Sequence, residues 1–398
     1  MKLTPFHPRT SELCELYNWS LWSNWLLVDM YAPDHTQEYF AIRTACAVFD
    51  ISMIPKYHIH GPDSLRFLNR LVTQNVSQHD VGRVLYTPWC DDEGKIVDDG
   101  ILAHLDGQFF RLTTGDPMLY WLEDNALRLD VSIEDVTESV AALALQGPFS
   151  RDLLVKLSGE DIEKLAYFDI MKTDLAGIPV EVSRTGYSGD LGYEIWVQPQ
   201  HAVHLWDMLF EAGEAYGNLP FGDFALEMAR IEAGLLLTDV DFNSSMKVVH
   251  EFQKSSPLEL GLDWAVKLEK EFFVGQKALK QEKARGPAWA TVGLEVNLNS
   301  LESIFAEFDM PLYLPPEAWN EAVPIYSHGT QIGKATSGTW SPILKKSIAL
   351  ARLKPQFAKP GTVVDMEVTI DAQRKQAKAT VVKLPFYDPP RKKSMGSH

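Results

Sequence analysis

Apolar and polar residues alternate with two different periods along the first two-thirds of the chain. Residues 36–47, 201–215 and 222–236 place apolar side chains at the helical spacing, which predicts amphipathic helices. Shorter apolar or alternating segments between turn residues predict strands. The predicted strands are Val48–Ile51, Tyr57–Gly61, Val84–Trp89, Ile96–Ala103, Phe109–Thr114 and Ala142–Gln146. Because helices and strands are mixed without a strict β-α-β order, we predict the α+β class rather than a parallel doubly wound sheet.

Beyond residue 288 the pattern changes to short strands separated by Gly and Pro. This pattern is typical of a small all-β barrel, so we predict a C-terminal barrel domain over residues 285–390. A charged stretch at 270–285 has a helical pattern and precedes it. The predicted barrel strands are Ala290–Val296, Ala322–Tyr326, Gln331–Thr336, Ser347–Leu353, Val363–Ile370 and Ala377–Lys383. The last three residues, Gly396, Ser397 and His398, are left out of the fold prediction.

Three tryptophans near the N-terminus are spaced three residues apart. On a helix, Trp19, Trp22 and Trp25 would share one face. Such a stripe is typical of core packing, and an aromatic wall for a ligand is the alternative interpretation. Together with Tyr31, these residues are candidates for the substrate-binding side of a site.

Composition and charge exclude several classes of protein. The chain has 398 residues, 45% of them hydrophobic, and a formal net charge of −17. This charge argues against a nucleic-acid partner, because phosphate recognition needs clustered Lys and Arg. No apolar run approaches the roughly 18 residues of a membrane span. The three cysteines are widely spaced, and His58 and His60 have no evident third ligand, so we predict no metal site and a cytoplasmic protein.

Seven stretches, in order along the chain, carry a family resemblance. Through them the chain resembles the glycine-cleavage T-protein (aminomethyltransferase) family. They are residues 48–52 (VFDIS), 91–102 (DDEGKIVDDGIL), 146–148 (QGP), 183–195 (SRTGYSGDLGYEI), 229–234 (ARIEAG), 273–275 (FVG) with 278–279 (AL), and 336–352 (TSGTWSPILKKSIALAR).

The resemblance implies a three-domain cloverleaf around a central hole that holds tetrahydrofolate. Residues 1–284 would form the folate-binding region, made of two intertwined α+β domains, the second at roughly 52–140. Residues 285–390 would form the barrel. A central cavity suits a ligand with a flat pterin and an acidic tail.

The resemblance also implies roles for single residues. Asp99 matches the family's functional aspartate, which lies near the reactive nitrogens of the folate. A carboxylate there orients the folate, stabilises positive charge on an attacking amine, or relays a proton. The strand pattern alone does not distinguish Asp99 from Asp98, since the two point to opposite faces. Tyr187 is expected to pack near the pterin, and Glu194 to accept two hydrogen bonds from its amino-pyrimidinone edge.

Arg230 matches an arginine near the folate, and a helical salt bridge with Glu227 is the equally weighted alternative. Either Lys392 or Lys393 is expected near the glutamate tail of the folate. Other matches are aromatic or apolar and line the family's folate channel. They are Tyr86, Ile54, Tyr167 and Trp340, of which Tyr86 and Trp340 are predicted cofactor contacts and Ile54 a substrate-side contact.

The sequence also departs from the family pattern. Residues 53–55 replace the usual His-Met-Gly, Leu226-Glu227 replaces an Arg-Asp pair, and Thr114 stands where Asn is usual. Residues 239–257 form a longer segment that suggests a lid for a different substrate. We therefore predict a paralogue that transfers a methyl group from a small S-, N- or O-methyl donor to tetrahydrofolate.

Three alternatives remain open at this point. The first is the aminomethyltransferase of glycine cleavage, which would need a lipoyl carrier protein and would make 5,10-methylenetetrahydrofolate. The second is a non-enzymatic folate-binding factor. The third is a subunit that works with a separate amine oxidase. The sequence predicts no oligomeric state.

Overall fold

The computed structural model describes residues 1–158 and 160–395, so Gly396–His398 lie outside it. The helices are α1 (His7–Leu13), α2 (Thr36–Thr44), α3 (Ser64–Leu71), α4 (Leu119–Asn125), α5 (Ser150–Ser158), α6 (Ala202–Gly213), α7 (Asp223–Glu232), α8 (Gln276–Arg285) and α9 (Leu298–Ala306). The strands are β1 (Trp19–Trp22), β2 (Trp25–Val28), β3 (Ala47–Asp50), β4 (Lys56–His60), β5 (Val84–Cys90), β6 (Ile96–Asp106), β7 (Phe109–Thr114), β8 (Ser132–Asp135), β9 (Ala141–Gln146), β10 (Ile170–Leu175), β11 (Ile178–Ser183), β12 (Gly192–Val197), β13 (Leu219–Pro220), β14 (Ala290–Val296), β15 (Val323–Ser327), β16 (Thr330–Ser341), β17 (Lys346–Leu353), β18 (Val363–Ile370) and β19 (Gln373–Val382).

Within the described residues the longer strands form two open sheets and a barrel. One sheet has the order β10-β11-β12-β9-β3-β13, and the other has the order β5-β6-β7-β4-β8. The barrel closes in the order β14-β17-β16-β15-β18-β19. The predicted α+β class and the C-terminal barrel are therefore confirmed. The exact domain bounds, including 52–140 for the second domain, stay a prediction.

The side chains of strand β12 point alternately to two different cores, one on each face of the six-stranded sheet. Tyr193, Ile195 and Val197 point to the core beneath helices α5 and α6. Because successive side chains alternate across a strand, Glu194 and Trp196 point to the opposite face. Trp196 packs there in a second core, which also contains Val84 and Ala103 of the other sheet. Glu194 therefore lies on the face of β12 that is turned toward the five-stranded sheet.

The N-terminal tryptophans form a hairpin, so the prediction that they share a helical face is wrong. Trp22 pairs directly with Trp25 across β1 and β2. Ser23 and Asn24 between them both have positive φ, at 44° and 74°, as a two-residue hairpin turn requires. The spacing of three fits one helical face, but the aromatic side chains and the Ser-Asn turn favour strands.

Two helices differ from their predictions. The charged stretch at 270–285 is helical only from Gln276, where α8 begins. Helix α9 was not predicted, although its start carries a signal: the Asn297 side chain accepts a hydrogen bond from the Ser300 N–H. None of the helices in the described part of the chain has the length and apolar character needed to cross a membrane.

Candidate functional site

The hairpin of β5 and β6 brings two predicted residues into direct contact. Tyr86 pairs with Ile101, and Asp99 pairs with Pro88, so Tyr86 and Asp99 are diagonal neighbours across the two strands. The Tyr86 hydroxyl donates a 2.6 Å hydrogen bond to Asp99 Oδ2. Trp264 stacks on the Tyr86 ring with 5.5 Å between ring centroids, and its side chain is largely exposed. The result is a carboxylate beside an aromatic pair.

The two adjacent aspartates have different surroundings. Asp98 is 0% exposed and accepts hydrogen bonds from the backbone N–H groups of Asp99 (2.8 Å) and Asp116 (3.0 Å). Gly115 lies so close that a Cβ there would be 2.9 Å from Asp98 Oδ1. Asp98 therefore holds the turn after β7 against β6, whereas Asp99 is partly exposed and is the one available to a ligand.

Burial changes the acid–base properties of both groups. It raises the pKa of Asp99 to about 6, and the hydrogen bond from Tyr86 acts in the opposite direction. Burial and the neighbouring Asp99 raise the pKa of Asp98 well above its usual range, partly offset by the two N–H donors. A carboxylate with a pKa near 6 can both accept and release a proton at physiological pH.

Tyr187 lies between this hairpin and helix α7. Its hydroxyl donates a hydrogen bond to the Leu236 carbonyl, just after the end of α7. Burial raises the pKa of Tyr187 well above its usual range, Arg230 lowers it, and the charges of Asp241 and Asp99 raise it further. Tyr187 therefore lies within electrostatic range of Asp99 and of the charged group formed by Arg230, Glu227 and Asp241.

Arg230 is 0% exposed and uses all of its N–H donors within the protein. Its Nε and Nη2 donate to Glu227 (3.2 and 2.8 Å), and Nη1 donates to Asp241 (2.6 Å). Nη1 also reaches Ser337, and Nη2 reaches Asn320. The salt bridge with Glu227, one of the two sequence-based alternatives, is thus formed. Arg230 ties α7 to the 239–257 segment and to the barrel, and its direct contact with folate stays a prediction.

Glu194 lies on the partly buried face of β12. Its Oε2 accepts a 2.7 Å hydrogen bond from the Thr185 hydroxyl. Burial raises the pKa of Glu194, while Thr185 and the positive charge of Arg111 lower it. Arg111 was not singled out from the sequence, because it follows two phenylalanines on an ordinary strand and its partners are far along the chain. Its neighbours Glu181 and Trp196 lie on β11 and β12.

The aromatic candidates do not form a single wall. Trp19 packs with Tyr31, which is itself buried. Trp25 is buried in the core between the sheets, and Trp22 and Ile54 are both partly buried and pack against that core. The Trp22 Nε1–H is buried without a partner among the described residues. Trp22 and Ile54 therefore stay candidates for the substrate side, whereas Tyr31 has little surface to offer.

The barrel candidate Trp340 is not joined to the hairpin site by any hydrogen bond or ring contact among the described residues. It is partly buried on β16, opposite Ser347. Its role as a folate contact stays a prediction.

The C-terminal tail packs back onto the first sheet. Arg391 Nε donates a 2.7 Å hydrogen bond to the buried Asp190. This anchor places Lys392 over the Tyr167 ring, with Nζ 5.9 Å from the centroid. Burial lowers the pKa of Lys392, whereas Lys393 is exposed. Of the two predicted lysines, Lys392 is thus the one near a predicted channel residue.

A second acidic feature at the start of α7 was missed in the sequence. Burial, Glu227 and Asp29 raise the pKa of Asp223 to about 7. No donor in residues 1–158 and 160–395 hydrogen-bonds its carboxylate. The Phe224 N–H donates to the Asp29 carbonyl (3.0 Å), so the tryptophan hairpin meets the helix here. The spacing Asp223-x-x-x-Glu227 on one helical face was the available signal. Among the described residues, no His, Cys, Asp and Glu side chains gather as a metal-binding group.

Family models and a solved structure match this fold. The GCVT N-terminal domain model matches residues 13–270, and the glycine cleavage T-protein C-terminal barrel domain model matches residues 312–388. The crystal structure of glycine cleavage system aminomethyltransferase T from Bartonella henselae has a TM-score of 0.82 at 23% identity, covering 97% of this chain and 98% of that one. This likeness confirms the three-domain cloverleaf of the T-protein type.

Curated relatives are more similar in sequence. An aminomethyltransferase of Bacillus pumilus is 35% identical over 357 residues, which are 88% of this chain and 90% of that protein. An aminomethyltransferase of Halothermothrix orenii is 32% identical over 97% of this chain and its own full length. A trimethylamine-oxide aldolase of Ruegeria pomeroyi is 35% identical to this chain. The matched region covers 98% of this chain and 47% of that protein. The chain is an enzyme of one-carbon transfer and belongs to the glycine-cleavage T-protein (aminomethyltransferase) family.

Proposed function

We propose that this protein moves a methyl group from a small S-, N- or O-methyl donor to N5 of tetrahydrofolate. The observation that carries the proposal is the partly exposed Asp99 carboxylate, hydrogen-bonded to Tyr86 and with a pKa raised to about 6. It lies in the electrostatic reach of Tyr187. These are the residues expected to surround the reacting nitrogen.

The chemistry of the lining side chains fits a reduced folate. Glu194 is a partly exposed carboxylate, which suits the paired donors of an amino-pyrimidinone edge. Tyr86 and Trp264 offer stacked aromatic faces, and Trp264 is exposed beside them. When bound, tetrahydrofolate supplies the nucleophilic N5, which takes the methyl carbon while the donor heteroatom leaves with the bonding electron pair.

The roles of the protein's own groups follow from their surroundings. The Asp99 carboxylate stabilises positive charge that develops beside it and can accept a proton, because its pKa lies near neutrality. Tyr86 holds that carboxylate in one orientation through its hydroxyl. Tyr187 is fixed by Leu236 and closes the side of the site next to α7. Most of the acceleration would come from holding donor and acceptor in line.

The donor side favours a cation. Asp223, at the start of α7, has no hydrogen-bond donor among the described residues, whereas Glu227, one turn later, is already paired with Arg230. Trp22, from the adjoining hairpin, adds an aromatic face at the edge of the same core as Leu226. Carboxylates and aromatic faces both attract sulfonium and ammonium groups. A relative named for trimethylamine oxide supports a small methylated amine among the donor classes.

The 239–257 segment supports a lid over this side of the site. Ser245 N–H donates to the Ile96 carbonyl, and Ile96 N–H donates to the Ser255 carbonyl, each at 2.8 Å. These bonds fix Ser245 and Ser255, two positions inside the segment, on β6 at Ile96, two residues before Asp98. Between them, Val249 and Phe252 are exposed, so the middle of the segment is free to meet a donor.

A second candidate is the aminomethyltransferase reaction, which the relatives from Bacillus pumilus and Halothermothrix orenii carry in their names. It would use the same folate site, but it would need a lipoyl carrier protein as donor. Residues 53–55 and the Leu226-Glu227 pair differ from the family pattern, and this difference favours a small-molecule donor over a carrier protein. An oxidase partner is a further arrangement of this kind. We also propose a cytoplasmic location with no nucleic-acid or membrane partner.

The product separates the two candidates. The purified protein is incubated anaerobically with tetrahydrofolate and, in turn, a sulfonium, a betaine-like amine, trimethylamine oxide and a methoxybenzoate. Mass spectrometry then follows the folate. Formation of 5-methyltetrahydrofolate with one donor class supports the demethylase and names its substrate. If methylenetetrahydrofolate forms, and only with an aminomethyl-lipoyl carrier, the protein is an aminomethyltransferase and the demethylase proposal is wrong. No folate product from any donor or from the carrier would contradict both.

A further inference from the structure

Arg111 is a buried charge that joins the two open sheets. It lies on β7 of the five-stranded sheet, and its side chain is 3% exposed. Nη1 donates a 2.5 Å hydrogen bond to Glu181 Oε2 on β11. The guanidinium lies over the Trp196 ring of β12, 4.2 Å from the centroid. Both partners belong to the six-stranded sheet, so Arg111 fixes the spacing between the sheets at this point.

One guanidinium nitrogen is left without a partner. Arg111 Nη2 is buried and has no hydrogen bond among the described residues. Arg111 also lines a small cavity between the sheets, together with Ser183, Trp196, Ile101 and Thr113. A buried donor with no acceptor is rare in folded proteins and calls for a functional or structural reason.

The same face of β12 connects this cavity to Glu194. The Trp196 Nε1–H donates to Ser183 Oγ (3.3 Å), and the Ser183 and Thr185 hydroxyls share a 2.7 Å hydrogen bond. Thr185 in turn donates to Glu194 Oε2. Within residues 1–158 and 160–395, the groups that act on Glu194 from the packed elements are the hydroxyls of Ser183 and Thr185 and the charged guanidinium of Arg111.

We propose that Arg111 is a positioning residue of the folate site, whose buried positive charge holds Glu194 in its anionic form to bind the pterin edge. The inference rests on the proposed function. Two adjacent pterin donors need two acceptor oxygens, and a protonated carboxyl group offers one acceptor and one donor instead. Burial raises the pKa of Glu194 and so favours its protonated form. The positive charge of Arg111 lowers this pKa and opposes the effect of burial. The salt bridge to Glu181 offsets only part of the Arg111 charge. The Glu181 side chain is 21% exposed, so water screens its charge more than that of the buried Arg111.

The test is the pH dependence of tetrahydrofolate binding, measured by anaerobic calorimetry from about pH 5.5 to about 8. Arg111→Met should weaken binding about tenfold at neutral pH and move the midpoint of the loss of binding to higher pH. Arg111→Lys, which keeps the charge, should recover most of both effects. The control Arg66→Met removes a guanidinium that is 74% exposed and should leave the midpoint unchanged.

Glu181→Gln provides a second test that does not depend on the folding of the Met variant. It removes the negative partner of Arg111, so the midpoint for Glu194 should move to lower pH. A purely structural role would lower the melting temperature of the variants without moving either midpoint, and that result would overturn the inference. Absence of tetrahydrofolate binding by the wild-type protein at every pH would instead overturn the proposed function itself.

Discussion

The Tyr86 hydroxyl donates a 2.6 Å hydrogen bond to Asp99 Oδ2 across the β5–β6 hairpin, while the adjacent Asp98 is fully buried and bound by backbone N–H groups. Two neighbouring carboxylates thus have separate tasks. Asp98 holds the turn after β7, and Asp99 is partly exposed and available to a ligand. The site depends on both, because the strand that carries Asp99 is fixed by the contacts of Asp98.

Asp99→Asn keeps the size of the side chain and removes its charge and basicity. We expect kcat to fall by about a hundred- to ten-thousand-fold, with the Kd for tetrahydrofolate changed only a few-fold. Asp92→Asn, an exposed aspartate in the turn of the same hairpin, is the matched control and should keep full activity. Steady-state kinetics and calorimetry provide the two quantities. Full activity in Asp99→Asn would remove Asp99 from the mechanism.

The pKa of Asp99, at about 6, predicts the pH profile. Since Asp99 acts as a carboxylate, kcat/KM should rise with pH through about 6 and level off above it. Tyr86→Phe removes the hydrogen bond that lowers this pKa, so the rise should move up by about one pH unit. The measurement is kcat/KM for tetrahydrofolate as a function of pH, recorded for both proteins with the methyl donor at saturation. An unchanged midpoint in Tyr86→Phe would mean that another group controls the profile.

Arg230→Met should destabilise the fold. It leaves Glu227 and Asp241 as buried carboxylates without their cation, which costs about 3–5 kcal/mol of the free energy of unfolding. Urea denaturation compares it with Arg285→Met, an exposed arginine at the end of α8, which should lose less than about 0.5 kcal/mol. A loss below about 1 kcal/mol in Arg230→Met would contradict the structural role assigned to this residue.

Asp223→Asn tests the charge of the donor side. For a sulfonium or ammonium donor, KM should increase about three- to tenfold, because one carboxylate that attracts the cation is lost. For a neutral methoxy-aromatic donor, KM should not change. Asp124→Asn, exposed on α4, serves as the control. Equal effects of Asp223→Asn on charged and neutral donors would argue against an electrostatic role.

Local patterns predicted the elements better than the contacts between them. The barrel strands and the hairpin of β5 and β6 follow from alternation and turn residues that are adjacent in the chain. The spacing of Trp19, Trp22 and Trp25 suggested a helix, because three residues fit a helical turn as well as a hairpin with a short loop. There the Ser23-Asn24 turn was the better signal.

The candidate site was only partly accessible from sequence. The family resemblance named Asp99, Tyr86, Tyr187 and Glu194, and the first two are in direct contact. The family resemblance did not identify Arg111. Its role depends on contacts with Glu181 and Trp196, which are 70 or more residues away in the chain and belong to another sheet. Long-range partners of this kind are set by how the sheets pack.

The most direct test of the central claim is an anaerobic calorimetric titration of tetrahydrofolate into the wild-type protein and Glu194→Ala, with Glu134→Ala, exposed on β8, as control. We predict saturable binding to one site in the wild type and the control, and an affinity at least about tenfold weaker in Glu194→Ala. Equal binding by Glu194→Ala, or no saturable heat in the wild type, would contradict the assignment of this site to tetrahydrofolate.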